Sequence, residues 1–268
     1  LPVLQKEASG GIRPDWEELK PAFINAWDSV ADTRPEIVRI FHGGNFLIES
    51  EVSPESQQGI ISFLAAQALV KRIIIESKPE YITEKRLELI TKVIGSSTAL
   101  QMNIGVETGD ESLRRKLKKG YAEDDYRKAI KLLEQFSIYP LAYLLVQPPW
   151  VSPEEAVSSI VDSVRWATKF DPQTEIALNS LYVEGKTPTF QMWERGEYSP
   201  PSVTIVYDSV IAAYEVHPRH IVSFGGFKDS DEMEPAACST PETPREEELY
   251  TALLQFKKDC DIEKLKRA

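Results

Sequence analysis

The sequence predicts an α/β fold, a parallel (βα)6-type partial TIM barrel, and leaves a seventh strand open. The strand-type segments are continuous apolar runs such as Ile73-Ile74-Ile75, which indicate burial on both faces and hence a parallel sheet covered by helices. Their starts are spaced by roughly 30 to 45 residues, the length of a βα unit. The candidate strands are residues 2–5, 36–41, 72–77, 100–106, 141–146, 174–178 and 220–224.

Helix start signals separate these strands. Ser53 supplies a capping hydroxyl before Pro54, which suits the first helical turn. Ser152 and Glu155 have the spacing of a capping box, which predicts a helix beginning at that point. Thr83 is a candidate cap for the helix that follows the third candidate strand.

The domain organisation follows from composition. Residues 1–226 are expected to form the barrel domain. Residues 227–268 hold an acidic, proline-rich loop and a closing helix over about 245–258, expected to pack on the same domain. No apolar run has the length of a membrane span and no signal peptide is evident, so we expect a cytoplasmic protein.

Charge and cysteine content narrow the function classes. A net charge of -11 disfavours non-specific nucleic-acid binding, because phosphate binding needs clustered cations. The run from Arg114 to Lys119 is either a local basic patch or a solvated helix face. Cys238 and Cys260 form no CxxC pair and are interpreted as ordinary thiols.

Polar residues recur where the candidate strands end, and in parallel sheets and barrels the ligand site lies at those carboxyl ends. A Gly-Gly pair lets the backbone approach a ligand closely, and glutamates accept hydrogen bonds from hydroxyl or ammonium groups. With one lysine, the set suits a zwitterionic, ribose-bearing ligand such as S-adenosylmethionine. The candidate residues are Gly43, Gly44, Asn45, Glu76, Glu107, Lys119 and Gln147.

Four segments carry a family resemblance: IVRIFHGGNFLIESEVS, RIIIESKPEYITEKRLELI, NIGVETGDESLRRKLKKGY and AYLLVQPPWVSPEEAV. They resemble the radical S-adenosylmethionine superfamily, in the branch of the elongator catalytic subunit, the methylthiotransferases and the oxygen-independent coproporphyrinogen oxidases. The third segment is the most specific. The later segment LNSLYVEGKTPTFQMWERGEYSPP resembles the archaeosine synthase radical subunit, which modifies a tRNA base.

The resemblance assigns cofactor roles to the second and third candidate strands. Gly43, Gly44 and Asn45 match the glycine motif that holds the methionyl amino group of S-adenosylmethionine. Glu76 matches the position of a ribose contact.

It also assigns roles to the later strands. Glu107 lies where the coproporphyrinogen-oxidase branch uses a glutamine against S-adenosylmethionine, and Lys119 matches a basic residue that pairs with the methionyl carboxylate. Gln147 is added as a cofactor contact after the fifth candidate strand, where Tyr143 stands near a position that is aspartate in that branch.

The implied activity is that of a radical S-adenosylmethionine enzyme. A [4Fe–4S] cluster would supply an electron and a 5′-deoxyadenosyl radical would form, serving archaeosine-type tRNA modification. The acidic charge is compatible with a partner subunit that delivers the tRNA. One alternative is a radical enzyme acting on a small molecule. Another is a cluster-less protein that binds S-adenosylmethionine or acts as a scaffold.

The sequence departs from the family at the cluster ligands. The family's cluster needs three thiolates, usually spaced CxxxCxxC after the first strand, but no cysteine precedes Cys238. Either the protein has lost its cluster, or the natural chain contains a segment that this sequence lacks. We expect the second, because the loop after residues 2–5 is short while the later strand-end residues match the family. An intact mass of the natural protein equal to that of these 268 residues would contradict this expectation.

Overall fold

One six-stranded sheet organises the protein. The computed structural model describes residues 15–41, 45–218, 221–225 and 235–268. The strands lie in sequence order, as expected for successive βα units. Neighbouring strands run parallel, with Arg72 opposite both Ile37 and Ala99, and Ile176 opposite Ile221. The strands are β1 (Ile37–Arg39), β2 (Arg72–Glu76), β3 (Ala99–Glu107), β4 (Tyr139–Val146), β5 (Glu175–Ser180) and β6 (Ile221–Gly225).

The predicted partial (βα)6 barrel is confirmed, and these strands correspond to six of the seven candidates. The remaining candidate, residues 2–5, lies outside the described residues. None of the helices in the described ranges is long and apolar enough to cross a membrane. The helices are α1 (Trp16–Ala31), α2 (Pro54–Ala65), α3 (Glu84–Ile94), α4 (Glu111–Lys116), α5 (Glu123–Gln135), α6 (Ala156–Thr168), α7 (Pro188–Glu194), α8 (Val203–Val216), α9 (Pro244–Asp259) and α10 (Ile262–Leu265), with a 3-10 turn at Pro79–Tyr81.

The helix starts match the sequence signals unevenly. Ser53 caps α2, since its hydroxyl accepts a hydrogen bond from the Ser56 N–H at 3.1 Å. Thr83 occupies the capping position of α3, but its side chain makes no capping bond. The closing helix is present as α9, and α1, which we did not predict, begins with a capping box.

The capping box predicted at Ser152 is wrong. Residues 153–155 form a turn closed by a hydrogen bond from the Glu155 N–H to the Ser152 carbonyl, so α6 begins at Ala156. One of the two hydrogen bonds of a capping box is present, because the Ser152 N–H donates to Glu155 Oε2 at 3.3 Å.

The chain divides into two compact units, and the first comprises Leu1–Gly105 and Tyr121–Leu141. Its helix α1 packs on α2 through aromatic edges, with ring centroids of Phe23 and Trp27 lying 5.7 and 6.2 Å from that of Phe63. Its strands bury a nearly continuous apolar core, as the sequence runs predicted.

The second unit comprises Val106–Gly120 and Ala142–Ala268. Helix α9 packs against β6 and α8. The Phe256 ring stacks 6.4 Å from that of Phe224, and Glu246 Oε1 accepts hydrogen bonds from the Thr204 N–H and hydroxyl at 3.3 and 3.2 Å. The domain boundary predicted at residues 226 and 227 lies outside the described residues and stays a prediction.

Candidate functional site

The loop that follows β1 is tied to the end of β2. Asn45 is buried, and its Oδ1 accepts hydrogen bonds from the Leu47 N–H and the Ser77 hydroxyl, both at 3.1 Å. The Phe46 N–H donates to the Glu76 carbonyl oxygen at 3.1 Å. The side chain of Asn45 therefore shapes this loop. The preceding residues Gly43 and Gly44 lie outside the described residues.

Glu76 ends β2 beside this loop, with a half-buried side chain. The loop closes on itself through a hydrogen bond from the Asn45 N–H to Glu51 Oε2 at 2.5 Å. The structure thus brings Asn45 and Glu76 together within the first unit, while their roles toward a cofactor stay predictions.

The turn after β3 brings together two further predicted residues. Glu107 ends the strand with φ +66°, a left-handed conformation that is costly for a side-chain-bearing residue. Asp110 then caps α4 by accepting from the Leu113 N–H at 2.8 Å. Lys119 Nζ lies 2.5 Å from Glu107 Oε1, and both side chains are partly buried. A carboxylate and an ammonium group are therefore paired directly at the carboxyl end of β3.

Arg114 supports this turn and was missed by the sequence reasoning. Its side chain is fully buried, its guanidinium lies 4.1 Å from the Trp166 ring centroid, and its NH1 donates to the Thr108 carbonyl oxygen at 2.8 Å. A buried arginine stacked on an aromatic face fixes a backbone by hydrogen bonding and packing together. The two interpretations of the run 114–119, a basic patch or a solvated face, therefore both fail at Arg114.

Close backbone packing also fixes the turn. The Gly109 N–H donates to Ser163 Oγ at 2.8 Å. A Cβ at position 109 would lie 2.9 Å from Trp166 Cβ and 3.0 Å from Ser163 Cα, closer than such atoms normally approach. Glycine is required here because α6 leaves no room for a side chain.

Gln147 follows β4 in a second left-handed conformation, with φ +49°. Its side chain is only 4% exposed, and its Nε2 donates to the Ser199 carbonyl oxygen at 3.4 Å. Its backbone carbonyl accepts from the Tyr198 hydroxyl at 3.4 Å. Burial raises the pKa of Tyr198, so this hydroxyl stays protonated and remains a donor. Strained backbone at Glu107 and Gln147 is typical of functional positions.

Metal ligands do not assemble in the part of the chain that the structure describes, where no group of three or more His, Cys, Asp and Glu could hold an ion. The sequence contains two cysteines, the half-buried Cys238 and the exposed Cys260. A [4Fe–4S] cluster of the family's type needs three thiolates. The residues of this chain therefore do not fit that cluster.

Comparisons with known proteins show what the chain as a whole resembles. No family model matches the sequence. Over 191 residues, 70% of this chain, it is 27% identical to archaeosine synthase subunit beta of Methanosarcina acetivorans, of which it covers 54%. Over 187 residues, 69% of this chain, it is 26% identical to archaeosine synthase subunit beta of Thermococcus kodakarensis, of which it covers 56%.

A solved structure shares the fold. The archaeal Elp3 of Methanocaldococcus infernus superposes with a TM-score of 0.60 at 16% identity, covering 87% of this chain and 58% of that one. The predicted resemblance to the elongator-like branch of the radical S-adenosylmethionine superfamily and to archaeosine synthase is confirmed. The chain spans about half the length of the curated relatives it matches.

Proposed function

We propose that this protein binds S-adenosylmethionine at the carboxyl end of β3 and serves in tRNA base modification of the archaeosine kind. The observation that carries the proposal is the ion pair between Glu107 and Lys119 at the end of β3. It lies in the segment with the most specific resemblance to the superfamily.

The charges of this pair suit the two ends of the methionyl group. Lys119 offers an ammonium for the ligand carboxylate, and Glu107 offers acceptor oxygens for ammonium or hydroxyl groups. Both side chains are partly buried, so a ligand that replaces their contact has to offer an opposite charge to each of them. The buried Arg114 holds the turn, which keeps both groups at the strand end during that exchange.

The remaining contacts follow from the resemblance. The backbone of Gly43 and Gly44 would hold the methionyl amino group, and Asn45 would anchor that loop to β2. Glu76 would accept a hydrogen bond from a ribose hydroxyl.

The proposal becomes more specific where it concerns the generation of a radical from S-adenosylmethionine. In the family it depends on a [4Fe–4S] cluster held by three thiolates, and these 268 residues contain two cysteines. The reaction therefore needs ligands that this sequence does not supply. The same observation favours a second candidate function, a cluster-less protein that binds S-adenosylmethionine.

The proposal also includes a partner subunit. Both curated relatives carry the name subunit beta, which supports a role within a complex. The net charge of -11 disfavours a direct grip on phosphates, so the partner is proposed to deliver the tRNA.

An anaerobic reconstitution with iron and sulfide tests the proposal. We expect the 268-residue chain to bind S-adenosylmethionine without iron uptake and without release of 5′-deoxyadenosine. Failure to bind S-adenosylmethionine would sink the proposed function. Iron uptake together with 5′-deoxyadenosine would instead overturn the conclusion that these residues cannot hold the cluster. Mass analysis of tRNA from cells with and without the gene separates an RNA substrate from a small molecule.

A further inference from the structure

A cleft of about 500 Å³ opens in the second unit beside the end of β4. This volume lies within the range of small-molecule sites, roughly 300 to 1,000 Å³. The residues that give the cleft its chemistry are Gln147, Trp150, Trp193, Tyr198 and Ser199. Neither tryptophan has a role in the site proposed for S-adenosylmethionine.

Two large aromatic rings are presented at this cleft. Trp150 is 51% exposed and Trp193 is 37% exposed, unusually high values for the residue type. The Phe190 ring braces Trp193 at a centroid distance of 5.7 Å, and Lys116 Nζ lies 5.7 Å from the Trp150 ring centroid. Trp150 is also held in a left-handed conformation with φ +71°. Exposed, braced rings in a concave site are suited to stacking on a flat ligand.

The wall of the cleft contains a buried acceptor. Gln147 Oε1 has no hydrogen-bond partner among the described residues, although the side chain is 4% exposed. A buried polar atom without a partner is costly, so it points to a ligand that donates a hydrogen bond. The bond from Nε2 to the Ser199 carbonyl fixes the orientation of the amide.

The charge of the cleft argues for a neutral ligand group. Of its lining residues, Glu197 carries a charge, and Arg195 pairs with it through two contacts of 2.7 Å. A phosphate needs cations or converging N–H groups, whereas a nucleobase needs a π face and an acceptor for its N–H edge.

We propose that this cleft binds the base of an unpaired RNA nucleotide, stacked on Trp150 and Trp193, with a base N–H donating to Gln147 Oε1. The inference rests on the proposed function in taking RNA as the substrate. It assigns Gln147 to the substrate, whereas the sequence prediction had counted Gln147 among the cofactor contacts.

Binding measurements test the assignment without any radical chemistry. The probes are short single-stranded oligoribonucleotides of each of the four bases, titrated by calorimetry into the full 268-residue chain. Trp193→Ala and Trp150→Ala should each weaken binding by roughly 5- to 150-fold, the range for a lost base stack. Gln147→Leu should weaken it by roughly 2- to 12-fold. Trp193→Phe, which keeps a ring, should retain most of the affinity.

Tyr139→Ala is the matched control, because Tyr139 is exposed but does not line the cleft. Its affinity should equal that of the natural chain. Thermal unfolding of each variant separates lost binding from lost folding.

Two results would overturn the assignment. One is oligoribonucleotide binding that is absent in the natural chain or unchanged in both tryptophan variants. The other is a loss of S-adenosylmethionine affinity in those variants with RNA binding intact, which would make the cleft the site of the cofactor's adenine. Failure of the natural chain to bind S-adenosylmethionine would sink the proposed function and leave this test unaffected.

Discussion

The turns after β3 and β4 begin alike and end in different chemistry. Each starts with a residue other than glycine in a left-handed conformation, Glu107 at φ +66° and Gln147 at φ +49°. After β3 the turn is charged and closed by the pair with Lys119. After β4 it leads into a cleft that presents Trp150 and Trp193. The same backbone conformation thus precedes an ion pair at one strand end and an aromatic-lined cleft at the other.

The difference lies in what backs each turn. The β3 turn rests on a buried cation, with Arg114 stacked on Trp166 and hydrogen bonded to the Thr108 carbonyl. The β4 turn rests on the neutral hydroxyl of Tyr198, whose single proton is shared between the carbonyls of Gln147 and Leu181 at 3.4 and 3.2 Å. A rigid charged turn can hold opposite charges at fixed positions, whereas the second turn leaves room beside it.

The largest expected effect comes from breaking the support of the β3 turn. Arg114→Ala should lower the free energy of unfolding by about 3 kcal/mol, because it removes a buried stack and leaves the Thr108 carbonyl unpaired. Urea denaturation measures this value. Arg114→Lys should recover part of it, since lysine keeps the charge but not the planar stack.

Arg115→Ala is the matched control on the same helix. Arg115 is exposed and pairs with Glu111 on the surface, so its loss should cost less than about 0.5 kcal/mol. Equal destabilisation by the two alanine variants would show that Arg114 does not support the turn.

A smaller effect should follow from crowding the same turn. Gly109→Ala places a methyl group against Trp166 Cβ and Ser163 Cα. It should lower the free energy of unfolding by about 1 to 3 kcal/mol. Gly120→Ala is its control, because a Cβ there meets no atom within 4 Å. Thermal unfolding compares them, and a Gly109→Ala variant as stable as Gly120→Ala would refute the close packing.

The smallest expected effect on the free energy of unfolding concerns Glu246, which lies outside both turns. This effect depends on pH. Burial opposes the charge on Glu246, but hydrogen bonds from the N–H groups of Glu242 and Thr204 and from side-chain hydroxyls leave its pKa below the ordinary value of 4.5. A lowered pKa in the folded state means that the stabilisation is present above pH 4.5 and is lost as the pH falls through the folded pKa.

Glu246→Gln should therefore cost about 1 to 2 kcal/mol at pH 7 and progressively less as the pH falls below 4.5. Urea denaturation across this pH range measures the difference between variant and natural chain. A difference that stays constant or grows on acidification would contradict the assigned pKa direction.

The sequence predicted those features that depend on local pattern. Continuous apolar runs located β2, β3 and β4, and the alternation of strands and helices indicated the parallel half-barrel. The contact between Glu107 and Lys119 could also be predicted from the sequence, because the short helix α4 brings the chain back to the end of β3.

Features that depend on distant packing escaped prediction. Arg114 belongs to a run of cations typical of an exposed face, and its burial becomes visible only when Trp166 of α6 packs over it. The cleft beside Gln147 likewise needs Trp193 and Tyr198 from a later part of the chain. No local period in the sequence encodes either contact.

Calorimetric titration of S-adenosylmethionine into the 268-residue chain tests the central claim most directly. The unsubstituted 268-residue chain should bind S-adenosylmethionine. Lys119→Ala should weaken this binding by roughly 10- to 150-fold, the cost of one charge-assisted contact. Arg115→Ala, on the exposed side of the same segment, should bind like the natural chain. Unchanged affinity in Lys119→Ala, or no binding by the natural chain, would contradict a S-adenosylmethionine site at the end of β3.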